Sequence, residues 1–264
     1  MKIFFSRLRS YGFYVPLVFL YTGVLGTAAL GASLFDRSGR AQHRVARLWA
    51  RMILAALGAP VEVCGLAEVD TTKPHLYVCN HLSAVDIPVI YAYLRFPFRI
   101  MAKKELFRYP FLGWHLRRSG QIPIDASNAL HSMRSLKLGT ETLRAGMPLV
   151  VFPEGGRAAD GAVQPFLGGA FYVALKAQVE IIPFALVGTF EMLPIDTFLV
   201  KPRPLKMIFG APISTAGHAV REMEQFAARA QAAVEDLYYA NSEIPRRESA
   251  REEPRLAAAE ERPR

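Results

Sequence analysis

Short apolar runs rich in β-branched residues alternate with amphipathic stretches along most of the chain after residue 60. Such runs, about four to eight residues long and bounded by turn residues, are typical of strands, whereas apolar residues at the spacing of a helical turn are typical of helices. The predicted strands are residues 61–64, 76–79, 99–102, 121–124, 149–152, 180–187 and 205–209. The predicted helices are residues 85–94, 109–118, 129–145, 168–176 and 219–239. This alternation predicts one α/β domain, residues 59–240, with a central mixed sheet flanked by helices.

One predicted strand contains a proline, Pro183, within the apolar run Ile182-Pro183-Phe184. Proline cannot donate a hydrogen bond to a neighbouring strand. The sequence therefore predicts an edge position or a bulge at this point rather than an ordinary place in mid-sheet.

Residues 10–35 contain no charged side chain. About 20 apolar residues are enough to span a bilayer, and the stretch is too long for a typical signal-peptide core. Pro16 and several glycines make a straight helix less favourable in this stretch. The sequence is therefore compatible with a single membrane-anchoring helix and with a bent or re-entrant helical hairpin. Basic residues flank both ends, so the positive-inside rule does not choose an orientation.

A set of arginines follows the apolar segment at helical spacing. They are Arg37, Arg40, Arg44, Arg47 and Arg51. This spacing predicts one basic helix face that lies against anionic headgroups, although a solvated face of an ordinary amphipathic helix would show the same pattern. Residues 1–58 are therefore predicted to form a membrane anchor with a basic interfacial helix.

The last part of the chain, residues 241–264, has six arginines, six glutamates and three prolines. This composition predicts a disordered charged tail. Because the tail has no net charge, the overall charge of +9 lies in the rest of the chain and favours an anionic partner. The sequence contains no known nucleic-acid module, so we expect membrane lipids and no nucleic acid.

The chain has two cysteines, Cys64 and Cys79, which suggest neither a disulfide framework nor a metal cluster. Cys79 lies two residues before His81 and could be a nucleophile. A small buried residue at the end of a strand is the interpretation we favour.

The run Asn80-His81-Leu82-Ser83-Ala84-Val85-Asp86 follows the apolar strand 76–79. A histidine at the end of a strand is well placed to act as a general base. Asp86 can orient its imidazole if the chain turns at residues 82–83 before a helix begins. Ser83 and Asp86 also match the S-x-x-D capping box, which gives Asp86 a purely structural explanation that is compatible with the first.

Two other stretches could bind a phosphate. Phe152-Pro153-Glu154-Gly155-Gly156-Arg157 follows a predicted strand, and glycines let backbone amides approach an anion while arginine pairs phosphate through two hydrogen bonds. Lys103-Lys104-Glu105-Leu106 follows another strand. A plain turn with a surface arginine and a solvated lysine pair are the alternatives.

In this order, the N-H-x-x-x-x-D run, the lysine block that ends at Asp125, the F-P-E-G-x-R run and Pro183 resemble the glycerolipid acyltransferase family over residues 60–215. The resemblance implies a membrane enzyme that moves a fatty acyl group from acyl-CoA or acyl-carrier protein to the hydroxyl of 1-acyl-glycerol-3-phosphate, giving phosphatidic acid. It implies no metal and no cofactor besides the thioester co-substrate, and a catalytic domain on the cytoplasmic face of the inner or plasma membrane.

The resemblance also implies roles for individual residues. His81 and Asp86 would be catalytic. The phosphate of the acceptor would be bound by Arg157, Lys103, Lys104, Glu154 and Gly155. Support for these motifs would come from Asn80, Ser83, Pro153, Gly156 and Pro183.

Three positions depart from the family pattern. Gly156 stands where threonine is usual, Ala158 where serine is common, and Ala126 where arginine usually follows Asp125. These changes weaken the prediction that lysophosphatidic acid is the acceptor. They do not alter the predicted type of reaction, acyl transfer. Another lysolipid acceptor, a thioesterase-like hydrolase and a catalytically inactive lipid-binding protein are the alternatives. An α/β-hydrolase is excluded because the sequence has no G-x-S-x-G elbow.

Overall fold

The computed structural model describes residues 2–36, 38–125 and 129–246. Within these ranges, seven strands form one sheet in the order β1-β7-β6-β2-β5-β3-β4. The strands are β1 (Val61–Cys64), β2 (Leu76–Cys79), β3 (Arg99–Lys103), β4 (Ile122–Ile124), β5 (Leu149–Val151), β6 (Ile181–Val187) and β7 (Leu205–Phe209). The neighbours from β6 to β4 run parallel, whereas β7 and β1 run the opposite way. The predicted mixed α/β sheet is confirmed.

Helices cover both faces of the sheet. They are α1 (Lys2–Arg9), α2 (Val15–Ala32), α3 (Arg40–Ala56), α4 (Asp86–Tyr93), α5 (Leu112–Arg118), α6 (Ala129–Arg144), α7 (Gly169–Ala177), α8 (Thr189–Met192) and α9 (Met223–Tyr239). Apolar side chains of α3 and α4 pack on one face of the sheet, and those of α6, α7 and α9 pack on the other. Every predicted strand and helix is present, with bounds shifted by a few residues.

The N-terminal apolar segment forms a continuous helix rather than a hairpin within residues 2–32. A π-helical turn, Ser10–Tyr14, joins α1 to α2, and Pro16, which has no N–H to donate, lies just after this turn. The helix Phe4–Ala32 is long and apolar enough to cross a membrane. Only 11% of its most apolar stretch is buried within the protein. The chain reverses only after α2, and α3 then packs on α2, where Trp49 Nε1 donates to Thr22 Oγ1 at 3.0 Å.

The predicted arginine face is only partly present on α3. Arg40, Arg44 and Arg51 are exposed. Arg47 instead turns inward, and its guanidinium donates to the Leu94 carbonyl at 3.2 Å, just after the end of α4. A cation is favoured at a helix C-terminus because the last carbonyls are unpaired there, so the prediction is wrong for Arg47. Arg37 lies outside the described residues.

Pro183 lies in β6, between β7 and β2, so the edge position is wrong. Phe184 pairs with Phe209, and Ile181 pairs with Ile213. The chain therefore advances three residues from 181 to 184 but four residues on the facing segment, from 209 to 213. The extra residue is a bulge opposite Pro183, whose carbonyl accepts the Gly210 N–H at 2.8 Å. The bulge removes the need for a proline N–H.

The predicted tail is ordered at its start. Arg246 pairs with Asp236 of α9 at 2.5 Å, and Asn241 Oδ1 accepts from Lys206 Nζ at 3.2 Å. Residues 247–264 lie outside the described part of the chain, so their predicted disorder stays a prediction.

Candidate active site

The motif residues meet at one edge of the sheet. Because β2, β5, β3 and β4 are parallel neighbours, their carboxyl ends lie side by side. His81 follows β2, Phe152 and Glu154 follow β5, and Lys103 ends β3. Segments that are far apart in sequence therefore form one site, at the position where open α/β sheets place their ligands.

His81 and Asp86 form a hydrogen-bonded pair, with Nδ1 2.8 Å from Oδ2. The Asp86 side chain is fully buried, whereas that of His81 is 19% exposed. Asp86 Oδ2 also accepts the N–H groups of Leu82 and Ser83, at 2.8 and 2.9 Å. An ionised carboxylate only accepts, so Nδ1 carries the proton. The other ring nitrogen, Nε2, makes no hydrogen bond to the described part of the chain and is the nitrogen placed to act as a base.

The chain turns between His81 and α4, as the proposed pairing requires. The capping box forms only in part. The Ser83 N–H donates to the Asp86 carboxylate, but the Ser83 hydroxyl does not accept the Asp86 N–H. That hydroxyl donates to the Leu193 carbonyl at 2.7 Å and accepts from Val85 N–H at 3.2 Å. Ser83 therefore ties the catalytic turn to the segment that follows α8.

Phe152, to which the sequence alone assigned no separate role, stacks on the His81 imidazole. The two ring centroids are 3.9 Å apart and the planes differ by 22°. Together with the Asp86 bond, this contact holds the His81 ring against rotation. An aromatic residue directly before Pro153 was the only sequence signal.

Glu154 holds the backbone of His81. Its Oε1 accepts the His81 N–H at 2.8 Å and its Oε2 accepts the Gln164 N–H at 3.2 Å, while Ala158 N–H donates to the His81 carbonyl at 3.0 Å. Burial raises the pKa of Glu154 to about 8. Both oxygens of Glu154 are bound to main-chain groups, so this side chain supports the backbone of His81; its role in phosphate binding stays a prediction.

The two lysines of the second motif separate. A Cβ placed on Gly156 would lie 3.6 Å from Lys103 Nζ, so this ammonium lies beside the glycine-rich loop. Lys104 instead pairs with Asp125 at 2.7 Å. Exposed Arg157 has no hydrogen bond or ion pair with any residue that the structure describes. Lys103 and Arg157 are therefore the two cations left for an anionic ligand at this loop.

Structural roles are found for two of the predicted supporting residues, Asn80 and Pro153, and for Gly155, which was predicted to bind phosphate. Asn80 extends β2 toward β6, since its amide accepts from Leu186 N–H at 2.8 Å and donates to the Leu186 carbonyl at 2.9 Å. The Pro153 carbonyl accepts the Leu167 N–H at 3.0 Å. Gly155 has a φ of 72°, a conformation that favours glycine.

Cys79 is fully buried, and burial raises the pKa of its thiol well above the ordinary value, which favours packing over nucleophilic attack.

The sequence is similar to those of known proteins. A family model described as Acyltransferase matches residues 60–187. A 1-acyl-sn-glycerol-3-phosphate acyltransferase of Chlamydomonas reinhardtii is 32% identical over 201 residues, covering 73% of this chain and 59% of the relative. A protein of the same name from Helicobacter pylori is 36% identical over 136 residues, covering 50% and 57%. The matched part of the chain, residues 60–187, is therefore similar to acyltransferases.

The fold of this protein is also found in a crystal structure. The 1-acyl-sn-glycerophosphate (LPA) acyltransferase from Thermotoga maritima superposes with a TM-score of 0.73 at 23% identity, covering 88% of this chain and 97% of that one. The chain spans between 47% and 66% of the length of the curated relatives that it matches. The similarity to the crystal structure establishes the architecture. The acyl donor and acceptor have to be inferred from the geometry of the site.

Proposed function

We propose that this protein transfers a fatty acyl group from a thioester, acyl-CoA or acyl-carrier protein, to the free hydroxyl of 1-acyl-glycerol-3-phosphate, giving phosphatidic acid. The observation that carries the proposal is the hydrogen-bonded His81–Asp86 pair on the same sheet edge as Lys103 and the glycine-rich loop. It pairs a general base with two cations, which suits an acceptor that has a hydroxyl and a phosphate.

The proposed chemistry is one direct transfer. Nε2 of His81 takes the proton of the acceptor hydroxyl as its oxygen attacks the thioester carbonyl carbon. The tetrahedral intermediate then expels the thiolate, the imidazolium returns the proton to sulfur, and an ester replaces the thioester. Asp86 stabilises the imidazolium without taking the proton. The burial of Cys79 supports a route without an acyl-enzyme.

The acceptor phosphate is proposed to lie between Lys103 and Arg157. Gly156 has no side chain, so the space beside Lys103 Nζ that the usual threonine would fill is open. That space supports an acceptor with a terminal phosphate and could also admit a larger headgroup. The apolar helix Phe4–Ala32 supports a membrane location, and soluble thioester carriers support a cytoplasmic catalytic face.

The proposal is tested with purified full-length protein, radiolabelled acyl-CoA or acyl-carrier protein, and a panel of lysophosphatidic acid, lysophosphatidylglycerol and lysophosphatidylcholine. We expect phosphatidic acid to form only when lysophosphatidic acid is present. Free fatty acid released at the same rate with and without acceptors would identify a thioesterase. Preference for another lysolipid would overturn the acceptor assignment alone.

Arg157→Lys should raise the apparent KM for lysophosphatidic acid, because lysine cannot copy the two-pronged pairing of a guanidinium. Loss of a charge-assisted hydrogen bond costs about 1.5–3 kcal/mol, or roughly tenfold to a hundredfold. Lys103→Met should act in the same direction, whereas Lys104→Met should lower stability and leave the acceptor KM near that of the parent. Equal losses of kcat/KM on lysophosphatidic acid and a zwitterionic lysolipid would show that Arg157 only shapes the loop.

A further inference from the structure

The segment that follows β3 exposes large apolar side chains. Among residues 104–118, Phe111 is 62% exposed, Tyr109 59% and Trp114 50%, and Leu112 is also exposed. We refer to Tyr109, Phe111, Leu112 and Trp114 as the aromatic patch. Large exposed side chains that occur singly need no explanation, but a continuous apolar patch of this kind marks a surface that contacts something other than water.

Local structure holds the aromatic patch outward. Phe107, in the preceding 3-10 turn, is buried, and a Cβ on Gly113 would overlap the Phe107 carbonyl, so α5 is pressed against this turn. Phe111 has a φ of 59°, which a bulky residue rarely adopts. Its ring meets that of Trp114 at a centroid distance of 5.3 Å. A strained backbone that presents two aromatic rings to the exterior points to a functional surface.

The surroundings of the aromatic patch match a bilayer. Helix α5 packs against α2, whose side chains Phe19, Leu20 and Val24 are more than half exposed, so the patch continues the surface of the apolar anchor. Four basic residues and one acid lie between residues 104 and 118, and Arg108, Arg117 and Arg118 are exposed. Tryptophan and tyrosine prefer the headgroup level of a membrane, and arginines beside them attract anionic lipids.

We propose that the aromatic patch is a second membrane contact, which inserts into the boundary between headgroups and acyl chains of an anionic bilayer. It lies beside α2 and begins six residues after Lys103 in the chain. The consequence for catalysis, which rests on the proposed function, is that a lysolipid acceptor reaches Lys103 and Arg157 from the bilayer without crossing water. Insertion itself does not depend on the reaction.

The chain offers a direct test because it has two tryptophans, Trp49 and Trp114. In the Trp49→Phe variant, Trp114 is the single tryptophan, and it is excited at the long-wavelength edge where tyrosine does not absorb. This full-length variant is placed in anionic vesicles of lipids brominated at defined acyl-chain depths. We expect the bromines nearest the headgroups to quench Trp114 emission, and aqueous iodide to quench it less than in detergent-free denatured protein.

The matched control places a tryptophan on the opposite layer of the fold. Ala232 is exposed on α9, across the sheet from α3. In a protein with Trp49→Phe, Trp114→Phe and Ala232→Trp, bromines should quench little and iodide should quench strongly. Equal bromine quenching of Trp114 and of the control would overturn the proposal. So would emission from Trp114 that depends on protein concentration and not on bromine, since a second copy would then cover the patch.

A kinetic experiment tests the consequence separately. Phe111→Ser with Trp114→Gln should raise the apparent KM for lysophosphatidic acid embedded in vesicles, and should leave the rate on a short-chain, monomeric acceptor unchanged. Trp114→Phe is the conservative control and should retain most of the vesicle activity. If the double variant loses both activities equally while its thermal unfolding is unchanged, the patch has no role in access from the membrane. If no variant or parent transfers acyl groups, the proposed function fails while the quenching result still stands.

Discussion

His81 is restrained from three directions. Asp86 binds its Nδ1, Phe152 covers one face of its ring, and the Glu154 loop binds its backbone N–H and carbonyl. A base held in this way needs little reorganisation before it takes a proton, and such preorganisation is one source of catalytic rate.

The pair itself is tested by His81→Ala, which should abolish almost all transfer while the protein still folds, since loss of a general base costs about 10²–10⁴ in rate. Asp86→Asn should also lower kcat, and it should lower the melting temperature because the amide cannot accept from Nδ1, Leu82 N–H and Ser83 N–H equally well. The measurements are kcat with a fixed donor and thermal unfolding in detergent. A folded His81→Ala protein with normal activity would rule out the proposed base.

Phe152 is a positioning residue, and Phe152→Leu removes the stacked ring while it keeps an apolar side chain. Aromatic pairs contribute about 0.5–1.5 kcal/mol beyond their buried area, so we expect roughly a two- to tenfold fall in kcat with a shifted pH–rate profile. The KM for the thioester should change less, and Phe152→Tyr should restore the profile. A fall in melting temperature with kcat and the pH profile unchanged would assign Phe152 to packing alone.

At the scale of elements, α3 joins the N-terminal apolar helix to the α/β domain. His43 on α3 is 5% exposed and packs against the rings of Tyr91 and Phe98. Burial, and then the charges of Arg47 and Arg99, lower the pKa of His43 to about 4. Burial also lowers the pKa of His115.

This joint should be sensitive to acid. The folded-state pKa of His43 is depressed, so the unfolded chain binds more protons between about pH 6.5 and pH 4, and stability falls as the pH falls through that window. The slope from one such group is at most about 1.4 kcal/mol per pH unit. His43→Phe should keep the ring contacts and flatten the pH dependence of unfolding measured above about pH 5, where most carboxylates stay ionised. Parallel curves for parent and variant would contradict this assignment.

At the scale of the whole molecule, we expect the apolar helix and the charge of +9 to act together at a membrane. Because Arg47 is turned inward, the exposed charge that α3 contributes within the described chain comes from Arg40, Arg44 and Arg51. Arginines near an anionic surface are each worth about 1 kcal/mol, and salt screens them.

Replacing all three arginines by glutamine should slow association with anionic vesicles at low salt, when protein is diluted from detergent and followed by stopped-flow light scattering. Association with neutral vesicles should not change, because the apolar helix is intact. High salt should make the parent resemble the variant. Identical rates on anionic and neutral vesicles at low salt would show that these arginines are merely solvated.

The order of strands and helices, the α/β class, the apolar helix and the His81–Asp86 pair were all predictable from the sequence. Each of these depends on local periodicity or on residues a few positions apart, and backbone geometry converts such spacing directly into a helix, a strand or a turn. The bulge at Pro183 was also one of the two alternatives predicted from the sequence, because proline has no N–H to donate to a neighbouring strand.

Other features were decided only when β2, β5 and β3 came together. The sheet set Phe152 against His81, joined Glu154 to the His81 backbone, and placed Lys103 rather than Lys104 beside Gly156. Packing of α3 on α4 turned Arg47 away from the basic face. These contacts join residues that are distant in sequence, and which side chain fills such a contact depends on strand register and on competition among neighbours. A single sequence does not encode that competition in any local pattern, so only the tertiary structure decided it.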